Sequence, residues 1–67
     1  MELQYEIFTK GGIEFELAGT RGDWGLFVTF PQEQGFEAGW DGYINHYPTK
    51  ADAKWFAGEF LKERRAA

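Results

Sequence analysis

The feature that most constrains this chain is a switch of period. Apolar and polar residues alternate one by one through residues 2–7 and again through residues 13–17, whereas apolar residues recur at helical spacing after residue 49. Leu3, Tyr5 and Ile7 alternate with Glu2, Gln4 and Glu6, and Ile13, Phe15 and Leu17 alternate with Glu14 and Glu16. Both segments read as half-buried strands, and Gly11-Gly12 marks the turn between them. A two-residue Gly-Gly loop would set Ile7 opposite Glu16 and mix the two sides of the sheet. A three-residue loop, Lys10-Gly11-Gly12, keeps them apart. It pairs Thr9 with Ile13, Ile7 with Phe15 and Tyr5 with Leu17, and the hydrophobic pattern predicts this register. Glu6 then faces Glu16, and Phe8 faces Glu14, on the water side. Like charges opposite each other destabilise a sheet, so acids retained there point either to a solubilising edge or to an anionic docking surface.

A third strand is expected over Trp24–Phe30, with Trp24, Leu26, Val28 and Phe30 inward and Phe27 and Thr29 outward. Pro31 ends it. The polar, glycine-punctuated run "QEQGFEAG" that follows is long enough to be mobile. A fourth strand spans about Trp40–Tyr47, with Trp40 and Ile44 on one side and Asp41, Tyr43, Asn45 and Tyr47 on the other. The segment "PTKADAKWFAGEFLKERR" is a helix. Thr49 is its N-cap, Asp52 follows three residues later, and Ala53, Phe56, Ala57, Phe60 and Leu61 form its apolar stripe. Trp55 lies off that stripe. The predicted fold is α+β: a small antiparallel four-stranded β-meander with one C-terminal helix packed on one face, as a single domain over residues 1–67.

A core in 67 residues buries only ~60% of the unfolded chain's surface, so large side chains must carry stability. Seven Phe, three Trp and three Tyr supply them. Cysteine is absent, which excludes disulfides and thiolate metal sites and is compatible with a reducing cytoplasm. No secretory leader and no apolar run long enough for a membrane helix is recognisable, so a soluble cytoplasmic protein is expected.

Catalysis is not expected. Serine is also absent, His46 is the only histidine, and no phosphate-binding glycine loop or calcium-loop spacing occurs, so no catalytic residue, metal or cofactor is assigned. "RGD" at Arg21–Asp23 is ordinary turn chemistry. Outward aromatics suggest base stacking on single-stranded nucleic acid, but the same predicted face carries acids that repel phosphate. Residues 1–47 hold eight acids and two cations, and residues 48–67 hold five cations and three acids. Aromatics ringed by acids suit a protein partner with a basic surface. The partner-binding residues expected from this reasoning are Glu2, Glu6, Phe8, Glu14, Glu16, Phe27, Asp41 and Tyr43. The alternative is a nucleic-acid-associated or regulatory module, monomer or homodimer, that engages phosphate through Lys62, Arg64 and Arg65.

In its acidic strands "LQYEIF" and "IEFELAG" and its ending "YPTKADAKWFAGEFLKE", the chain resembles the small phage-encoded anti-CRISPR and anti-restriction proteins. The resemblance lies in size, acidity, lack of cysteine and the meander-plus-helix plan. It implies a non-catalytic inhibitor that occludes a nucleic-acid channel of a bacterial defence complex in the host cytoplasm. A net charge of −4 is modest for a DNA mimic, so blocking by shape would matter beside charge.

Overall fold

Gly11 and Gly12 both adopt positive φ, 59° and 80°, which a two-residue type I′ hairpin turn requires and which glycine reaches without a Cβ clash. The computed structural model describes the backbone of residues 2–66 and the side chains of residues 2–64. From that turn the chain runs as β1 (Gln4–Lys10), β2 (Ile13–Thr20), β3 (Asp23–Val28), β4 (Tyr43–Tyr47) and α1 (Lys50–Ala66). The strands form one antiparallel sheet in the order β1-β2-β3-β4, and the helix packs on one face, as the α+β reading expects.

The register of the first hairpin differs from the predicted one. Lys10 pairs with Ile13, Phe8 with Phe15, Glu6 with Leu17 and Ile7 with Glu16. The three-residue loop is therefore wrong, and with it the Glu6–Glu16 and Phe8–Glu14 pairs. The shift moves every β1 side chain to the other face. Phe8 now stacks on Phe15, ring centroids 5.3 Å apart, while Leu3, Tyr5 and Ile7, expected in the core, are 58%, 65% and 51% exposed. Two features favour this arrangement over apolar matching. The Gly-Gly turn fits the twist of the strands, and α1 offers Lys50 and Lys54 to Glu6, which makes an acid tolerable on the helix side.

The core is Phe15, Leu17, Trp24, Leu26, Val28, Phe36, Ala53, Ala57 and Leu61. Ala53 and Ala57 bring the helix close to the sheet, and Phe60 packs against the cluster. Phe56 departs from the expected stripe: it is 41% exposed and stacks instead on Tyr47 at 4.6 Å. Trp55 is exposed, as its position off the stripe predicts. Thr49 caps the helix, its Oγ1 accepting the Asp52 N–H at 3.0 Å.

β3 stops at Val28, two residues short of the predicted end. Phe30, expected in the core, takes φ 42° and turns out to 69% exposure. Gln34 completes the ladder in its place. Its Oε1 accepts the Glu14 N–H at 2.7 Å, and its Nε2 donates to the carbonyls of Glu14 and Thr29. Gln32 Nε2 donates to the Glu37 and Trp40 carbonyls, both at 2.8 Å, and the Phe36 and Trp40 rings pack on Phe60. The connection is thus hydrogen-bonded and packed, against the expectation of mobility.

β4 begins at Tyr43, later than predicted, and is bulged where β3 passes from Leu26 to Phe27. Leu26 pairs with Asn45 and Phe27 with Tyr43, so Ile44 is the extra residue and packs against the core. The added residue reverses the parity beyond it. Tyr47, expected to face outward with Tyr43, pairs with Trp24 and packs on the core instead, and burial pushes its hydroxyl above the usual tyrosine range, helped by the nearby Tyr43. Gly42 enters this strand at φ 90°, where a Cβ would lie 2.4 Å from the Val28 carbonyl oxygen.

Candidate protein-docking face

Because α1 covers one side of the sheet, the other side is open. Strand pairing writes its side chains in rows. One row runs Ile7, Glu16, Phe27, Tyr43, and the next runs Tyr5, Ala18, Gly25, His46. Thr9 beside Glu14 and Thr20 beside Asp23 flank them. The Phe27 and Tyr43 rings meet at 5.3 Å, and the Tyr43 hydroxyl lies 3.0 Å from His46 Nδ1. Ala18 and Gly25, having almost no side chain, leave a shallow hollow of about 260 Å³ beside Leu3, Tyr43 and His46. A second hollow of about 380 Å³ opens beside Phe27 and Phe30, with Glu16, Glu33 and Asp41 on its wall. Asp41 lies in the loop before β4, where its Oδ1 accepts the Tyr43 N–H at 3.0 Å.

The ion-paired cations lie on the helix side, each beside an acid. Glu6 takes Lys50 at 3.2 Å and Lys54 at 2.6 Å, and their hydrogen bonds and charges hold its carboxyl below the usual glutamate range. Lys10 donates to the Lys54 carbonyl at 2.9 Å, and Lys62 pairs with Glu59 at 3.1 Å. Arg64 lies 3.7 Å from the Phe36 ring centroid and donates to the Gly35 carbonyl. These cations belong to the helix side. Among the described residues, the carboxylates of Glu14, Glu16 and Asp23 on the open side have no ion pair.

Of the residues expected at a partner-binding face, Glu14, Glu16, Phe27 and Tyr43 come together on the open side, and Asp41 borders it. Glu6 and Phe8 do not. They lie on the helix side, for the reason of register given above. Glu2 is exposed ahead of β1. Sequence reasoning missed Tyr5, Ile7 and Phe30, and the positive φ available to both glycines of the turn was the signal that would have found the first two. Lys62 and Arg64 already serve contacts within the chain, and the side chain of Arg65 lies outside the described residues. Arg21-Gly22 forms the β2–β3 turn, with Gly22 at φ 90° and Asp23 paired to Thr20.

Among the described residues, no group of three or more His, Cys, Asp or Glu side chains is placed to hold a metal ion, and no helix is long and apolar enough to cross a membrane. No protein-family model, no curated protein and no solved structure matches the chain.

Proposed function

We propose that the chain is a non-enzymatic protein-binding module that docks its open sheet face on a basic, nucleic-acid-binding surface of a bacterial defence complex. It acts there as an inhibitor in the manner of the phage-encoded proteins it resembles, in the host cytoplasm. One observation carries this reading: Glu16 sits between Ile7 and Phe27 in a row closed by Tyr43, while the cations of α1 lie on the opposite side. A carboxylate framed by apolar side chains suits a partner's lysine or arginine, whose aliphatic stem lies on the frame and whose head reaches the acid. The exposed Tyr5, Ile7 and Phe30 add anchoring area around that centre, and the acids steer the encounter.

The test uses three tagged baits in bacterial lysate: the parent, Glu14→Lys with Glu16→Lys, and Lys62→Glu with Arg64→Glu. The parent and the third bait should retain the same nucleic-acid-binding protein, and the second bait should lose it. Retention by the second bait with loss by the third moves the interface to the helix end and overturns the reading.

A further inference from the structure

β1 and β4 are the two edges of the sheet, and they are built differently. β4 has five residues, a bulge against β3 and Pro48 directly after it, features that blunt an edge. β1 runs seven residues in unbroken register with β2 and contains no proline. Turn geometry decides which of its backbone groups are free. In a two-residue hairpin the residues flanking the loop, Lys10 and Ile13, form the hydrogen-bonded pair, and bonded and non-bonded pairs then alternate. Phe8, Glu6 and Gln4 therefore bond β2, whereas Thr9, Ile7 and Tyr5 direct N–H and C=O to the open edge. Glu14 agrees with this parity, because its N–H and C=O go to Gln34 and Thr29, away from β1.

The residues with free backbone groups are also those with exposed apolar side chains, Tyr5 and Ile7, with Leu3 just before them. None of them is charged. We propose that a second copy of this chain adds to the open edge of β1, antiparallel and about a two-fold axis, so that one sheet continues across both copies. The charge near the edge selects this occupant. Glu2 and Glu6 stand against Lys10, Lys50 and Lys54, near balance, so a chain of net charge −4 meets itself here without the repulsion its open-face acids would impose. A strongly basic or acidic strand would gain little from such a rim. Two-fold symmetry matches free donors to free acceptors and sets the apolar side chains of the two edges together. The dimer presents two acidic faces side by side, although the pairing itself does not depend on the docking reading.

Sedimentation equilibrium from about 10 μM to about 1 mM spans the affinities expected of a single-edge interface. The mass should rise with concentration toward twice the 7.7 kDa of one chain. Ile7→Pro removes an N–H that does not serve β2, at an edge position where proline is tolerated, and should raise the dimer dissociation constant at least ~10-fold with an unchanged circular dichroism spectrum. Should Ile7→Pro fail to fold, Tyr5→Lys places a charge on the same edge without altering the backbone, and the same loss of dimer is expected. A parent that stays monomeric throughout, including one whose edge is taken by another protein's strand, overturns the proposal. So does a dimer that persists in Tyr5→Lys or is lost in Glu16→Lys instead.

Discussion

Truncating Phe8 and Ile7 to alanine in turn discriminates between the two registers of the first hairpin. Phe8 is half-buried, stacked on Phe15 with rings 15° from parallel, and covered by the Lys54 ammonium 5.5 Å from its centroid. Complete burial makes Phe→Ala cost ~3–5 kcal/mol; partial exposure lowers this and the lost ring pair adds ~1, so about 2–3 kcal/mol is expected. Ile7 is 51% exposed and leaves no enclosed cavity, so Ile7→Ala should cost about 0.5–1 kcal/mol, mostly strand preference and remaining contacts. A domain of this length holds only ~3–10 kcal/mol in all, so the two variants are easily separated. Urea unfolding followed by tryptophan fluorescence, at low micromolar concentration to keep edge association out, reads the difference directly. With a urea slope of ~1 kcal/mol/M, the Phe8→Ala midpoint should fall by ~2 M and that of Ile7→Ala by less than ~1 M. The reverse order would restore the three-residue loop, return Ile7 to the core and remove the open face as described.

Phe60→Ala, which strips a ring packed on Phe15, Phe36 and Trp40, should cost ~3 kcal/mol in the same urea assay. Thr49→Ala removes the acceptor for the Asp52 N–H and should cost ~1 kcal/mol, with helical ellipticity lost first at the start of α1. The Glu6 carboxyl is held below its usual range by Lys54 and Lys50. Its contribution is therefore full at neutral pH and lost as pH falls from the ordinary glutamate range toward the lowered folded value. Thermal melts of Glu6→Gln should lie below the parent at neutral pH and converge with it in acid, and a constant offset across pH would contradict the assignment.

The elements governed by local chemistry were legible in the sequence: the meander-plus-helix plan, the Thr49 cap, and the inward sides of β2 and of β3 as far as Val28. Three departures arose where simple alternation was overridden, by a turn type with a helix contact, by a side chain standing in for a strand, and by a bulge. Ile7 looks like a core residue until α1 supplies Lys50 and Lys54 to Glu6 on the opposite face. Phe30 continues the alternation of β3 until Gln34 takes over the backbone of Glu14. Tyr47 counts as outward until the bulge at Ile44 adds a residue. Of the docking face, Glu14, Glu16, Phe27 and Tyr43 could be found by alternation alone, whereas Tyr5 and Ile7 required the turn type.

The most direct test of the docking face is competition on the captured partner. Labelled nucleic acid bound to that partner is followed by fluorescence anisotropy while the parent chain, or the Glu14→Lys with Glu16→Lys variant, is titrated in. Neither carboxylate has an ion pair among the described residues, so the variant should keep the fold of the parent, which circular dichroism checks. The parent should displace the nucleic acid, and the variant should need at least ~30-fold more protein, the equivalent of about 2 kcal/mol for two reversed charges against a basic surface. Equal displacement by both would show that Glu14 and Glu16 only keep the sheet soluble, and would contradict the proposed function.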